Sequence, residues 1–221
     1  MRTLPALAAL MTLATTTWAA APEVAIALSV SGPAAPGELS EALPVRFVLL
    51  DDGQVFVGGT SEVASGRLEK NDTKALDKLV ERVKKLPGIG APQTLGPGEN
   101  TYRLSLKKAG DIIAKGDPSR AAANVKPLGQ LIETLLAFDH PSLRPYAPAS
   151  FLLSARETNL PGGCRNWLLP PALPEVLKQP RVVAAAATAG WPTGATPAVV
   201  CEGERRYAVT LRPLLPGEAS Q

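Results

Sequence analysis

The chain has 221 residues, with 23 lysines and arginines, 20 aspartates and glutamates, one histidine and a net charge of +3. A balance this even, with both signs spread along the sequence, excludes the basic footprint of a protein that binds nucleic acid or an anionic membrane surface. Only 5% of residues are aromatic, and twelve of the 22 prolines lie at or after Pro141. Regular elements are therefore expected before that point, and short strands joined by Pro-rich loops after it.

Met1-Arg2 supplies one positive charge, Leu4 to Ala14 an apolar run, and Thr15 to Ala21 a small-residue stretch interrupted by Trp18. This is the three-part layout of a cleavable secretory signal. The run is about half of the roughly 20 residues that cross a bilayer, which predicts a leader rather than an anchor. Cleavage after Ala19 places Thr17 and Ala19 at the −3 and −1 positions, whereas a cut after Ala21 leaves Pro22 at +1. The expected protein is periplasmic or extracellular, with no membrane span and, because no Cys stands near the cut, no lipid anchor. The expected divisions are a signal peptide at 1–19, an α+β domain at 20–140 and a Pro-rich, β-rich module at 141–221.

Glu23 to Ser31 (EVAIALSVS) reads as an opening strand and Gly32 to Leu43 as a linker. In VRFVLLD-DG-QVFVGG, Val45, Phe47 and Leu49 alternate with Arg46, Val48 and Leu50, and Asp52-Gly53 predicts a type I′ hairpin turn. A third strand is expected from about Val63 to Glu69. A helix over Thr73–Leu86 follows, capped by Asn71 or Asp72, with Leu76, Leu79, Val80, Val83 and Leu86 as its apolar stripe and Pro87-Gly88 as its stop. After a Pro/Gly loop from Pro87 to Glu99, TYRLSLK (101–107) alternates cleanly, Lys108-Ala109-Gly110 turns the chain, and DIIAK (111–115) returns. A second helix is expected over about Pro127–Phe138, with Leu128, Leu131, Ile132, Leu135 and Leu136 on one face. The fold class is α+β: an antiparallel sheet with two helices packed on one face, followed by a β-rich, disulfide-tied C-terminal module.

The stretches VRFVLLDDGQVFVGG, GRLEK before LDKLVERVKKL, and TYRLSLKKAGDIIAKG before LGQLIETLLAF resemble an uncharacterised family of exported bacterial domains, over about residues 44–139. That family often has a Cys-Pro segment before its first hairpin strand; Glu41-Ala42-Leu43-Pro44 stands there in this chain. The resemblance implies the hairpin, strand, helix, hairpin, helix plan and export. It implies no activity and no functional residues.

In the C-terminal part, FLLSAR (151–156) reads as a strand, a helical turn is expected near Glu175, and RVVAAAA (181–187) reads as strand. Ala198–Glu202 and Arg206–Arg212 read as a last hairpin around Gly203-Glu204. The only cysteines, Cys164 and Cys201, are expected to pair in an oxidising compartment. Closing a loop of that length stabilises the fold by about 4 kcal/mol in the chain-entropy model.

Signals for chemistry are few. His140, the only histidine, reads first as a residue near a helix C-terminus, favourably placed in its dipole. A zinc site on Cys164, Cys201 and His140 lacks a close-spaced ligand pair. Ser105-Leu106-Lys107-Lys108 fits S-x-x-K, but an alternating strand points those positions to opposite faces. Gly88-Ile89-Gly90 follows a helix rather than a strand, which is the wrong context for a phosphate cradle. No cofactor is implied. The loop carrying Gln93 and Glu99 is long enough for a contact surface. Trp167 and Trp191 read either as the small core under the disulfide or as an aromatic contact surface for a protein or glycan of the cell envelope. The preferred expectation is an exported, non-catalytic binding protein. A carboxylate-based hydrolase of envelope material and an inhibitor of an exported enzyme are the alternatives.

Overall fold

The computed structural model describes residues 22–32, 45–58 and 62–215. The expected signal peptide at 1–19 and most of the expected linker lie outside the described residues. Two sheets carry the fold. The first strands are β1 (Val24–Ser31), β2 (Val45–Leu50), β3 (Gln54–Gly58) and β4 (Val63–Arg67), followed by helix α1 (Lys70–Lys84). Then come β5 (Gln93–Thr94), β6 (Thr101–Leu106), β7 (Gly110–Lys115), helix α2 (Lys126–Leu136) and the two-residue β8 (Arg144–Pro145). They form one eight-stranded sheet in the order β5-β7-β6-β1-β2-β3-β4-β8. All its pairings are antiparallel except β5 with β7, so the sheet is mixed rather than purely antiparallel.

Alternation explains one face. Ile26 and Leu28, Phe47 and Leu49, Val55, then Tyr102, Leu104 and Leu106, and Ile112 and Ala114 point together. Leu76, Val80 and Val83 of α1 and Leu128, Leu131, Ile132 and Leu135 of α2 close over them, so both helices lie on that face. The other face of β2 and β3 is also buried: Val48, Leu50, Phe56 and Val63 pack with Leu215, and Tyr146 meets Phe56 edge-on at 5.1 Å. This is why VRFVLL is an apolar run rather than a strict alternation.

Two local expectations are corrected. Asp52 keeps a negative φ and Gly53 alone is left-handed, at +87°, so the hairpin turn is not type I′. Gly53 N–H donates to Leu50 O at 3.1 Å, and the Asp52 carboxylate accepts Gln54 N–H at 2.9 Å. That local side-chain bond stabilises a type I turn ending in a left-handed glycine. Helix α1 begins three residues earlier than expected, at Lys70 after an extended Glu69. Asp72 is not the cap but sits inside the first turn, where its carboxylate accepts the Glu69 N–H at 2.8 Å.

The second sheet is antiparallel throughout, in the order β10-β9-β12-β11, from β9 (Ser150–Glu157), β10 (Arg181–Ala184), β11 (Gly194–Glu202) and β12 (Arg205–Pro213). Helix α3 (Leu173–Lys178) covers one of its faces. Its core holds Phe151, Leu153, Val183, Val200, Tyr207, Val209 and Leu211 under Leu169, Leu173 and Val176. The expected RVVAAAA strand is shorter than read: it ends at Ala184 and runs into a 3-10 turn over Ala185–Thr188. Leaving β12, the chain turns back so that Leu215 joins the rear of the first sheet.

Candidate functional site

Cys164 and Cys201 are disulfide-bonded, with Cα atoms 5.4 Å apart. Cys201 lies on the outermost strand β11, so the bond pins the preceding loop to a sheet edge. Arg165 N–H donates to Val199 O at 2.9 Å, and Arg165 bridges Val200 in parallel. Without that cover the edge would present unpaired backbone groups. The run from Pro161 to Asn166 is exposed along this edge.

The chain then dips. Trp167 is half-buried against the second core and its indole N–H donates to Pro171 O at 2.9 Å. Its ring meets that of Trp191 edge to face, with centroids 6.0 Å apart and planes at 70°. Such a T-shaped pair adds about 0.5–1.5 kcal/mol beyond its buried area. Leu169 is buried again, but Leu168 between them is 79% exposed, the most exposed of the large apolar side chains described. Arg165 ties this corner together: its Nη1 donates to Gly190 O at 3.1 Å, beside Trp191. Arg206, the cross-strand neighbour of Cys201, donates through Nη2 to Gly162 O on the same loop. The structure thus brings Cys164, Cys201, Trp167 and Trp191 to one place. The sequence reading missed Leu168, Arg165 and Arg206. Leu168 sits in the apolar triplet Trp167-Leu168-Leu169, whose pattern does not say which member faces water.

Gln93 and Glu99 belong elsewhere: Gln93 opens β5, an edge strand of the first sheet, and Glu99 lies in the loop between β5 and β6. Gln93 donates through Nε2 to Gly88 O and Ala91 O, both at 2.8 Å, so its amide is engaged in closing its own loop. Leu95 is buried beneath, and Glu99 is exposed.

A second group of polar residues meets around His140. His140 lies beyond the end of α2, which stops at Leu136, and faces another helix instead of its own dipole. Its Nε2 is 3.6 Å from Asp72 Oδ2 in the first turn of α1. Its Nδ1 accepts the Ser142 N–H at 3.2 Å and lies 2.8 Å from Ser142 Oγ. Asp72, His140 and Ser142 therefore stand in the order of a nucleophile set, 70 residues apart in sequence. The chemistry does not follow the order. The Nδ1 lone pair that would take the hydroxyl proton already receives a backbone N–H. Ser142 Oγ is pressed against strand β4, so close that a Cβ on Gly66 would come within 2.5 Å of it. Phe138 stacks on the imidazole at 6.4 Å and meets Phe47 edge-on at 5.1 Å. The group is a clasp between α1 and the turn after α2.

The other candidates resolve structurally. Ser105 is on β6 and its hydroxyl donates to Asp111 Oδ1 at 2.5 Å. Lys107 pairs with Asp51 at 2.8 Å and Glu23 at 2.9 Å. The cysteines, being bonded to each other, offer no thiolate to a metal, and among the described residues no three His, Cys, Asp or Glu side chains gather as a metal-binding set. No helix among the described residues is long and apolar enough to cross a membrane. No family model, curated protein or solved structure matches the chain.

Proposed function

We propose that this chain is an exported, non-catalytic binding protein whose contact surface is the corner formed by Trp167, Leu168 and Trp191. The observation that carries the reading is the 79% exposure of Leu168 between two side chains anchored in the core. A leucine held out on a loop pinned by a disulfide is pre-organised, so little ordering entropy opposes its burial by a partner. Covering it contributes about 2 kcal/mol. The disulfide and the leader-like opening, residues 1–19, both support export to an oxidising compartment.

The test is native mass spectrometry of the protein isolated gently from the envelope fraction of its own host. The expected result is a chain starting at Ala20, with the disulfide intact, flying with a bound protein or glycan. Leu168→Asp, which alters no buried contact, is expected to release the partner while leaving the fold unchanged. Retention of the partner by Leu168→Asp would move the contact surface elsewhere, and a soluble species still carrying residues 1–19 would remove the export claim.

A further inference from the structure

We propose that the outward face of α1 is a second binding surface, one that takes a linear acidic polysaccharide. It is independent of the Leu168 corner, which belongs to the other sheet. The even charge balance of the whole chain conceals a local imbalance on this helix. Lys70, Lys74, Lys78 and Arg82 recur every four residues, and all four are exposed. At 3.6 residues per turn they fall within an arc of about 120°, opposite the buried Leu76, Val80 and Val83. Lys85, just past the last turn, falls in the same arc and is also exposed. The row rises about 6 Å from one cation to the next and about 18 Å in all.

A helix face that only meets water gains by alternating its charges, because opposite signs three or four residues apart attract. This row does the reverse. Lys70 and Lys74, Lys74 and Lys78, and Lys78 and Arg82 each stand at the four-residue spacing where like charges repel. The nearby carboxylates do not relieve it. Glu81 lies 2.9 Å from Lys84, Asp77 accepts the Thr73 hydroxyl at 3.2 Å, and Asp72 faces His140. None of the five cations has a carboxylate within ion-pair distance among the described residues. A bound polyanion removes that repulsion, and local rules broken without a structural return mark functional surfaces.

The chemistry of the face selects among polyanions. No large apolar or aromatic side chain stands in the arc; Asn71 and Ala75 are its uncharged neighbours. A protein partner needs such anchors at the centre of an interface. A helix that lies on a membrane needs its apolar face free, whereas that of α1 is buried against the first sheet. The bases of a nucleic acid would find no ring to stack on. A hydrated chain with charges repeated along it needs only what the row has, cations in line on long side chains.

The experiment is calorimetric titration of the exported protein with polygalacturonate, a linear polyuronate, and with its methyl ester as the neutral counterpart. Binding is expected to the acid and not to the ester. The logarithm of the affinity should fall against the logarithm of salt concentration with a slope of about 3, the counterion release of four contacts on a flexible polyanion. Lys74→Gln combined with Lys78→Gln should weaken binding by about tenfold or more and reduce the slope by about 1. Lys108→Gln combined with Lys115→Gln removes the same charge from exposed positions beside and on β7, and should leave binding unchanged. The α1 variant should also unfold at a slightly higher temperature in low salt, because it removes all three repulsive contacts. A lower unfolding midpoint, binding to the ester, equal losses in the two double variants, tighter binding to polyglutamate or to phosphatidylglycerol vesicles, or no binding of the acid in low salt each overturns the inference. None of these outcomes touches the reading of the Leu168 corner.

Discussion

Asp72 Oδ2 accepts the Glu69 N–H at 2.8 Å and faces His140 Nε2 at 3.6 Å, so one carboxylate oxygen both holds the start of α1 and fastens it to the turn after α2. Asp72→Ala is expected to cost about 1 kcal/mol from the lost helix-start bond alone, which sits within the usual range for such contacts. Asp72→Asn, which keeps an acceptor, is expected to cost less. In a double-mutant cycle with His140→Ala, measured by urea denaturation, the coupling should be about a few tenths of a kcal/mol, as for a long, partly exposed contact. A coupling of zero would make the carboxylate a helix-start residue only.

Local pattern made much of the fold readable. The turn at Asp52-Gly53, the 3- and 4-residue spacing of Leu76, Val80 and Val83, and the alternation of Tyr102, Leu104 and Leu106 each depend on neighbours a few residues away. The sites depended on contacts that span the chain. Asp72 meets His140, and Arg206 reaches Gly162, only because sheet order brings their elements together. The pairing of β5 with β7 was hidden because two residues, Gln93 and Thr94, carry no periodicity. Leu168 was hidden because Trp167, Leu168 and Leu169 are all apolar, and only the depth of the neighbouring indole decides which one is left outside.

Lys107 joins the first sheet's β1–β2 end through Asp51 and Glu23. The hydrogen bond from Lys107, then that from the Glu23 N–H, lowers the Asp51 carboxyl below its ordinary 3.8. The bonds to Asp51 and then Glu23 raise the Lys107 ammonium above its ordinary 10.5. A lowered carboxylate stabilises the fold above its unfolded value, and that stability is lost as pH falls through the folded one. A raised ammonium stabilises below its unfolded value, and that stability is lost as pH rises through the folded one. The pair is thus fully effective between about pH 4 and pH 10. Titration of the Asp51 carboxyl carbon by NMR should give a midpoint below 3.8 in the wild type and closer to it in Lys107→Met. The difference should shrink in about 1 M salt, because the pair is exposed. An unchanged midpoint in the variant would show that the Glu23 N–H holds the carboxylate alone.

Gly129 sits inside α2, where alanine would gain about 1 kcal/mol in helix propensity. Sterics reverse the sign. A Cβ there would lie 2.6 Å from both Ala121 Cβ and Pro118 O, in the 3-10 turn packed on the helix. Forcing that contact apart costs about 1–3 kcal/mol. Gly129→Ala is therefore expected to lower the unfolding midpoint, whereas an increase would show that the turn at Pro118 yields freely.

Ser154 and Thr210 face each other across β9 and β12, on the side of the second sheet away from α3, and are 4% and 1% exposed. Neither hydroxyl has a hydrogen-bond partner among the described residues. A buried hydroxyl without a partner has lost its water and received nothing in exchange, a cost of about 1–3 kcal/mol. Threonine and valine have nearly the same shape, so Thr210→Val removes the polar atom and leaves no cavity. It also retains β-branching, which favours the strand. The expected result is a gain of about 1 kcal/mol in urea denaturation, with an unchanged slope. Ser154→Ala should give a smaller gain, since it also removes a packed atom. A loss of about 1 kcal/mol or more in Thr210→Val would mean that the hydroxyl pair binds a water or a ligand group, and would turn this face of the sheet into a second site.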